Sequence, residues 1–187
     1  MKKVVIFASG SGSNAENIVL YFKNNIQINV ATIFTNNVHA KVLDKANYLE
    51  VPTEVFNKIE LSDGTVLEKI KKIKPDLIVL AGFLLKFPES IIETFPNKII
   101  NIHPALLPKY GGKGMYGINV HTAVLENKEA ETGITIHYVN KNYDEGEFIF
   151  QKSISIIKCK TPEEIAQKIH ELEMEYFPKE IEKLLTS

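Results

Sequence analysis

Two residues with useful chemistry, Asn101 and His103, stand two apart at the end of a short apolar run, KIINI (98–102). If this run is a strand, both side chains point to the same face. At the carboxyl end of a parallel strand, that face opens on the crevice where open α/β sheets bind ligands. An amide can stabilise a developing oxyanion, and an imidazole can donate or accept a proton near neutral pH. The pair therefore predicts acid–base chemistry, although a purely structural histidine is the alternative that the residues alone leave open.

A carboxylate that could serve this histidine lies in the segment NYDEGEFIF (142–150). Asp144 falls in a predicted turn between two strand-like runs. If it lies near His103, it would hold one tautomer of the imidazole and raise its pKa by opposite charge. The alternative is an ordinary turn residue, since aspartate is common in such turns.

A glycine-rich turn follows the first apolar run, in ASGSGSNAEN (8–17). Gly10, Gly12 and Ala15 have the spacing of a dinucleotide-binding turn between a strand and a helix. The start of that helix would offer free backbone N–H groups to an anion, and Ser13 and Asn14 could add donors. A plain tight turn, with Ser13 or Asn14 as the N-cap, is the alternative.

The neighbouring segments lack the residues that would bind a dinucleotide or a nucleoside triphosphate. The sequence FTNN (34–37), at the end of the second predicted strand, has no acid to bind the ribose of a nicotinamide cofactor. The glycine turn also lacks the Gly-Lys-Ser/Thr ending of a P-loop. A phosphate monoester on a small substrate therefore fits the turn better than a dinucleotide or a nucleoside triphosphate.

The elements that would position these residues alternate in type. Short apolar runs at 4–7, 28–34, 76–81 and 98–102 are typical of strands buried on both faces, and helical patterns at 13–25, 38–50 and 63–74 separate them. This alternation predicts an open, mostly parallel α/β sheet.

The second half of the chain has a different pattern. Residues 132–140 and 147–156 alternate like antiparallel strands, which predicts a hairpin. A final helix begins after Thr161, the predicted N-cap, with Glu164 placed to complete a capping box.

Length and composition indicate one domain over residues 1–187. The positions of the motifs divide it into a phosphate-binding βαβ half at 1–100 and a catalytic half at 101–187. The net charge of −1 gives no general attraction for nucleic acid or an anionic membrane. The single cysteine, Cys159, excludes an internal disulfide. No membrane span and no cluster of metal ligands is visible, and we expect a cytoplasmic protein.

Together these segments resemble the folate-dependent formyltransferase family over nearly the whole chain. The matching segments are SGSGSN (9–14), PDLIVLAGF (75–83), NIHPALLPKY (101–110), TGITIHYV (132–139), YDEGEFIFQ (143–151) and ELEMEYFP (171–178). NIHPALLP followed by the Asp-x-Gly turn is specific to the wider family, and the glycine turn with the short length indicates its ribonucleotide branch. The resemblance implies a Rossmann-like formyltransferase fold, in which the half at 101–187 also binds folate.

The resemblance also implies a reaction, the transfer of a formyl group from 10-formyltetrahydrofolate to the amine of glycinamide ribonucleotide in purine biosynthesis. It implies small-molecule substrates, no metal, and a monomer or weak homodimer. Asn101, His103 and Asp144 would be catalytic. Further residues would bind substrate or folate: Gly12, Ser13, Asn14 and Glu173 for the ribonucleotide, and Leu84, Leu85, Lys86, Phe87, Asn101 and Thr135 for the folate.

Some positions depart from the family pattern. Leu85 stands where relatives often carry arginine, Ile59 falls near the position of an arginine that meets the folate tail, and the segment 111–121 is longer than in the best-known bacterial relatives. The alternatives are a formyltetrahydrofolate hydrolase, a sugar N-formyltransferase and a non-catalytic phosphoribosyl-binding module. A methionyl-tRNA formyltransferase would need a further domain and a basic surface for tRNA.

Overall fold

A computed structural model describes all residues from Met1 to Ser187. Seven strands and seven helices follow one another along the chain: β1 (Lys2–Phe7), α1 (Ser13–Phe22), β2 (Ile28–Thr35), α2 (Val42–Tyr48), β3 (Thr53–Val55), α3 (Lys58–Ser62), α4 (Thr65–Ile73), β4 (Leu77–Leu80), α5 (Glu89–Thr94), β5 (Ile99–His103), α6 (Ile118–Glu126), β6 (Glu131–Tyr138), β7 (Phe148–Ser155) and α7 (Pro162–Thr186).

The strands form one sheet in the order β3-β2-β1-β4-β5-β6-β7. The first five strands are parallel, and β6 and β7 pair antiparallel to β5 and to each other. The predicted mostly parallel sheet with a hairpin in the second half is therefore confirmed. The chain reverses its direction across the sheet between β1 and β4, and open α/β sheets bind ligands at the carboxyl ends of such strands.

Helices cover both faces of the sheet, as the continuous apolar strands require. Along β1, Val4 and Ile6 belong to a core under α1, α2, α6 and α7, whereas Val5 and Phe7 belong to a second core under α3, α4 and α5. None of the helices combines the length and hydropathy needed to cross a bilayer.

The long last helix continues through a proline. Pro178 has no N–H, so the carbonyl oxygen of Met174, four residues earlier, loses its helical donor. The side chain of Asn17 on α1 supplies the missing donor, with Nδ2 at 2.8 Å from that oxygen. At the start of the helix, Thr161 accepts from the Glu164 N–H as predicted, but the Glu164 carboxylate accepts from the N–H of Lys160 rather than that of the cap.

Candidate active site

A cavity of about 620 Å³ opens at the carboxyl ends of β1, β4 and β5. It is lined by the turn after β1, the loop after β4, the glycine-rich loop 111–117, the turn between β6 and β7, and the inner face of α7. Asn101, His103, Asp144, Asn14 and Glu173 all line it. The structure thus brings into one cavity residues that are up to 159 positions apart in sequence.

His103 lies at the end of β5 and is almost fully buried. Its Nε2 is 2.7 Å from the carbonyl oxygen of Tyr110. A carbonyl can only accept, so Nε2 carries the hydrogen, and in the neutral ring Nδ1 has the free lone pair. Nδ1 faces the Asp144 Oδ2 atom at 3.6 Å. The predicted neighbourhood of these two side chains is present.

Asp144 raises the pKa of His103 as expected, but this is not the largest effect on the imidazole. Burial lowers the pKa of His103 below its ordinary value, and the opposing effect of the Asp144 charge only partly offsets this. The imidazole is therefore neutral near pH 7 in the free protein. Its unprotonated Nδ1 can act as a base. Once it has taken a proton, the imidazolium is paired with the Asp144 carboxylate.

Asp144 accepts a hydrogen bond from the loop 111–117 and lies beside a second histidine. Its backbone has a positive φ of 55°, Oδ2 accepts from the N–H of Gly112 at 2.9 Å, and Oδ1 is 3.6 Å from His137 Nε2. Burial opposes ionisation, but the neighbouring His137 and His103 imidazoles and the Gly112 N–H together lower the Asp144 pKa. The carboxylate stays ionised across the neutral range.

His137 was not anticipated from the sequence. Its Nδ1 is 2.8 Å from the carbonyl oxygen of Tyr138, so Nε2 has the lone pair and accepts from Asn101 Nδ2 at 3.2 Å. This bond orients the Asn101 amide and leaves its second N–H for the cavity. The antiparallel register pairs Asn101 with His137 and His103 with Thr135, so a polar residue at every second position of β6 was the signal available in the sequence.

The predicted folate residues are only partly brought together. Leu84, Leu85, Lys86 and Phe87 line the cavity, and Ser9 Oγ fixes the start of this loop by accepting from the Leu84 N–H at 3.0 Å. Thr135 does not line it. Its hydroxyl is buried, donates to the Ala105 carbonyl at 2.7 Å and accepts from the Leu107 N–H at 3.0 Å. We therefore assign Thr135 to the support of the turn after β5.

The first helix begins without a side-chain cap. Gly12 is its N-cap, and Glu16 makes the first helical bond to the Gly12 carbonyl, so the three preceding N–H groups have no helical acceptor. The alternative of a Ser13 or Asn14 cap is thereby excluded. Gly12 has φ 68°, and an added Cβ would lie 2.4 Å from Val42 Cγ2, so only glycine allows α2 to approach this turn.

Glu173 on α7 connects this turn to the far side of the cavity. It accepts from Asn14 Nδ2 at 2.9 Å and lies 3.7 Å from His170 Nδ1. The neighbouring carboxylate of Glu173 raises the pKa of the half-exposed His170. The Asn14 side chain is thus bound to Glu173, which leaves its backbone N–H as the donor available to an anion.

The side chains form no group of three or more His, Cys, Asp or Glu arranged to hold a metal ion. The groups gathered near His103 are instead the Asn101 amide, the imidazole with its Asp144 partner, and the free backbone N–H groups at the start of α1. Such a set can move one proton, stabilise one oxyanion and hold one phosphate.

Comparison with known proteins gives a consistent result. The family model described as formyl transferase matches residues 2–181. A chloroplastic phosphoribosylglycinamide formyltransferase of Arabidopsis thaliana is 38% identical over 90% of this chain, and the chain spans 60% of that relative's length. The enzyme of that name from Bacillus subtilis is 35% identical, over 99% of this chain and 95% of its own.

The solved structures agree with these relatives. Glycinamide ribonucleotide transformylase 1 from Geobacillus kaustophilus superimposes with a TM-score of 0.90 at 31% identity, covering 99% of both chains. Phosphoribosylglycinamide formyltransferase from Bacillus halodurans gives a TM-score of 0.89 at 32% identity, covering 100% of this chain and 96% of the other.

Proposed function

The chain belongs to the formyl transferase family, and we propose that it transfers the formyl group of 10-formyltetrahydrofolate to the amine of N1-(5-phosphoribosyl)glycinamide, a step of purine biosynthesis. One observation carries the proposal: a buried His103–Asp144 pair and an oriented Asn101 amide share a cavity with an uncapped helix N-terminus. The first group suits acyl transfer to an amine, and the second suits the phosphate of the acceptor.

The ribonucleotide phosphate binds at the start of α1. The free N–H groups of Ser13, Asn14 and Ala15 and the helix dipole supply the positive potential, and Gly12 gives the anion close access. Glu173 binds the part of the ribonucleotide between phosphate and amine. The start of α1 lies in the half 1–100, whereas Glu173 and the catalytic group lie in 101–187, so the site draws on both halves.

The folate binds between the loop 84–87 and the turn after β6. Leu84, which is 52% exposed, and Phe87 offer apolar surface to the pterin. Lys86, Lys113 and Lys141 also line the cavity, and their ammonium groups attract the folate carboxylates. The net charge of −1 gives no general attraction for nucleic acid, so we propose no nucleic-acid partner. We also propose that the chain acts in the cytoplasm, as a monomer or weak homodimer.

The reaction uses three side chains. The amine attacks the formyl carbon, and the carbonyl oxygen becomes an oxyanion that accepts the second N–H of Asn101. Neutral His103 takes the proton from the attacking nitrogen at Nδ1, and Asp144 stabilises the imidazolium that forms. The tetrahedral intermediate then collapses, the bond from carbon to the folate nitrogen breaks, and His103 returns the proton to that leaving nitrogen.

One assay tests this function against its alternatives. The protein is incubated with 10-formyltetrahydrofolate, with and without the ribonucleotide, and tetrahydrofolate release is followed by absorbance. Release that depends on the ribonucleotide supports the proposal. Release without any amine would instead identify a hydrolase, release only with an amino sugar would identify a sugar N-formyltransferase, and no release would favour a binding module.

A further inference from the structure

Two buried side-chain atoms in the whole molecule have no hydrogen-bond partner, Asn14 Oδ1 and His121 Nδ1. Their residues are 9% and 5% exposed, and both line the same cavity. A buried polar atom without a partner costs free energy, and native proteins contain few of them. Two such atoms in one cavity indicate that a bound ligand completes their hydrogen bonds.

Both atoms belong to residues that interact with Glu173. Asn14 Nδ2 donates to the Glu173 carboxylate, so its unpaired Oδ1 lies beside that group. His121 lies on α6, close enough to Glu173 and to His103 for both charges to act on its imidazole. His121 therefore lies in the same part of the cavity as the catalytic histidine and the acid proposed to bind the ribonucleotide.

The proposed substrate presents a sugar at this place. Its phosphate at the start of α1 and its amine beside His103 leave the ribose between them. Ribose brings two hydroxyl groups, and each hydroxyl can both donate and accept. We propose that His121 Nδ1 and Asn14 Oδ1 each bind one ribose hydroxyl of the ribonucleotide, and that His121 thereby sets the requirement for a complete ribose. This inference rests on the proposed function.

The state of His121 fits this role. Burial lowers the pKa of His121, with Glu173 opposing the shift, so the ring is neutral near pH 7. A neutral imidazole can accept from a hydroxyl at one nitrogen, whereas an imidazolium can only donate. Asn14 Oδ1 is an acceptor in every state, so it needs a donor such as a hydroxyl.

The experiment compares kcat/KM for the ribonucleotide with that for its 2′-deoxy and 3′-deoxy analogues. The deoxy compound leaves one buried polar group unpaired, at a cost of about 1–3 kcal/mol, and we expect the wild-type protein to prefer the ribonucleotide by up to about 100-fold. In His121→Phe the preference over one of the two analogues falls to below about tenfold, because the activity with the ribonucleotide drops and that with the analogue does not.

Two further variants locate the interacting atom. The amide of His121→Asn occupies roughly the place of Nδ1 and retains most of the preference, whereas the amide of His121→Gln reaches the place of Nε2 and does not. Thr122→Val is the matched control, because Thr122 is the next residue on α6 and its hydroxyl donates within the helix, to the Ile118 carbonyl at 3.0 Å. It keeps the wild-type preference.

An equal loss with all three substrates in His121→Phe would overturn the inference, since a packing role lowers them together. Should His121→Phe fail to fold, the contrast between His121→Asn and His121→Gln decides the same point, and equal preferences in those two variants contradict it. If the wild-type protein transfers no formyl group, the proposed function fails instead. Calorimetric affinities for the ribonucleotide and its deoxy analogues then test His121 independently of turnover, by the same ratios.

Discussion

Replacing Asp144 by asparagine removes one charge from the catalytic pair while it keeps the shape of the side chain. The asparagine oxygen can still accept from the Gly112 N–H, which Asp144 accepts at 2.9 Å. What is lost is the attraction between the carboxylate and the imidazolium that forms when His103 takes the proton. The variant therefore tests charge stabilisation in the transition state rather than the folding of the turn.

The structure gives the size of this effect. Nδ1 and Oδ2 are 3.6 Å apart, and the two side chains are only 4% and 11% exposed, so solvent screens them weakly. With an effective dielectric constant of about 20, two unit charges at this distance attract by about 4.6 kcal/mol. If the imidazolium is fully formed in the transition state, kcat falls by roughly 2,000-fold, and if it is half formed, by about 50-fold.

The assay is steady-state folate release with both substrates saturating, supported by an NMR titration of the His103 ring. The loss of the nearby negative charge moves the already lowered pKa of His103 further down. Glu145→Gln is the matched control, because this exposed neighbour pairs with Asn142 at 2.7 Å and its loss changes the net charge equally. A kcat for Asp144→Asn within tenfold of wild type, with an unchanged titration, would refute the reasoning.

Four other outcomes follow from the same geometry. Asn101→Ala removes the oxyanion donor and lowers kcat by about 100- to 1,000-fold, with KM for either substrate changed far less, as saturation kinetics will show. Gly12→Ala places a Cβ 2.4 Å from Val42 Cγ2 in a backbone with φ 68°, and urea unfolding should show a loss of roughly 2–4 kcal/mol. Tyr110→Phe removes the hydroxyl that holds Tyr110 at 2.8 Å from Glu129, and kcat falls about tenfold because the carbonyl on His103 is less firmly placed. Burial lowers the pKa values of His103 and His121, so the unfolded chain binds protons that the folded chain does not. The free energy of unfolding, measured with urea, therefore decreases as the pH falls below about 6.5. The variant His103→Gln reduces this dependence on pH.

The elements that could be predicted are the strands that are buried on both faces of the sheet. Val4 to Phe7 alternate between two cores, which explains why the run is apolar at every position and why a parallel sheet follows. The elements that were missed are short or begin in loops: β3 has three residues, α3 has five and α5 has six. Periodicity cannot be detected over one or two turns. The helix α6 was missed because it begins directly after Gly117, in a segment interpreted as a loop.

The site divides in a similar way. The common face of Asn101 and His103 follows from the two-residue period of a strand, and the structure confirms it. His137 and the direction of the His103 pKa depend on which strand pairs with β5 and on how deeply the end of that strand is buried. Local sequence determines neither of these. Thr135 lies on the same face of the sheet, but its hydroxyl is bonded to the backbone of the turn after β5. The sequence could not show that this hydroxyl has partners outside the cavity.

The segment 110–112 explains why an irregular, glycine-rich loop follows the catalytic strand. The Tyr110 carbonyl accepts from His103 Nε2, and two residues later the Gly112 N–H donates to Asp144 Oδ2. Between them, a Cβ on Gly111 would lie 2.6 Å from Leu107 Cδ2 and 3.2 Å from Asp144 Cβ. The loop must therefore pass close to both side chains with no side chain of its own at the middle position. One carbonyl and one N–H of the same short segment set the tautomer of His103 and the position of Asp144, so the loop contributes to the proposed catalytic site through its backbone.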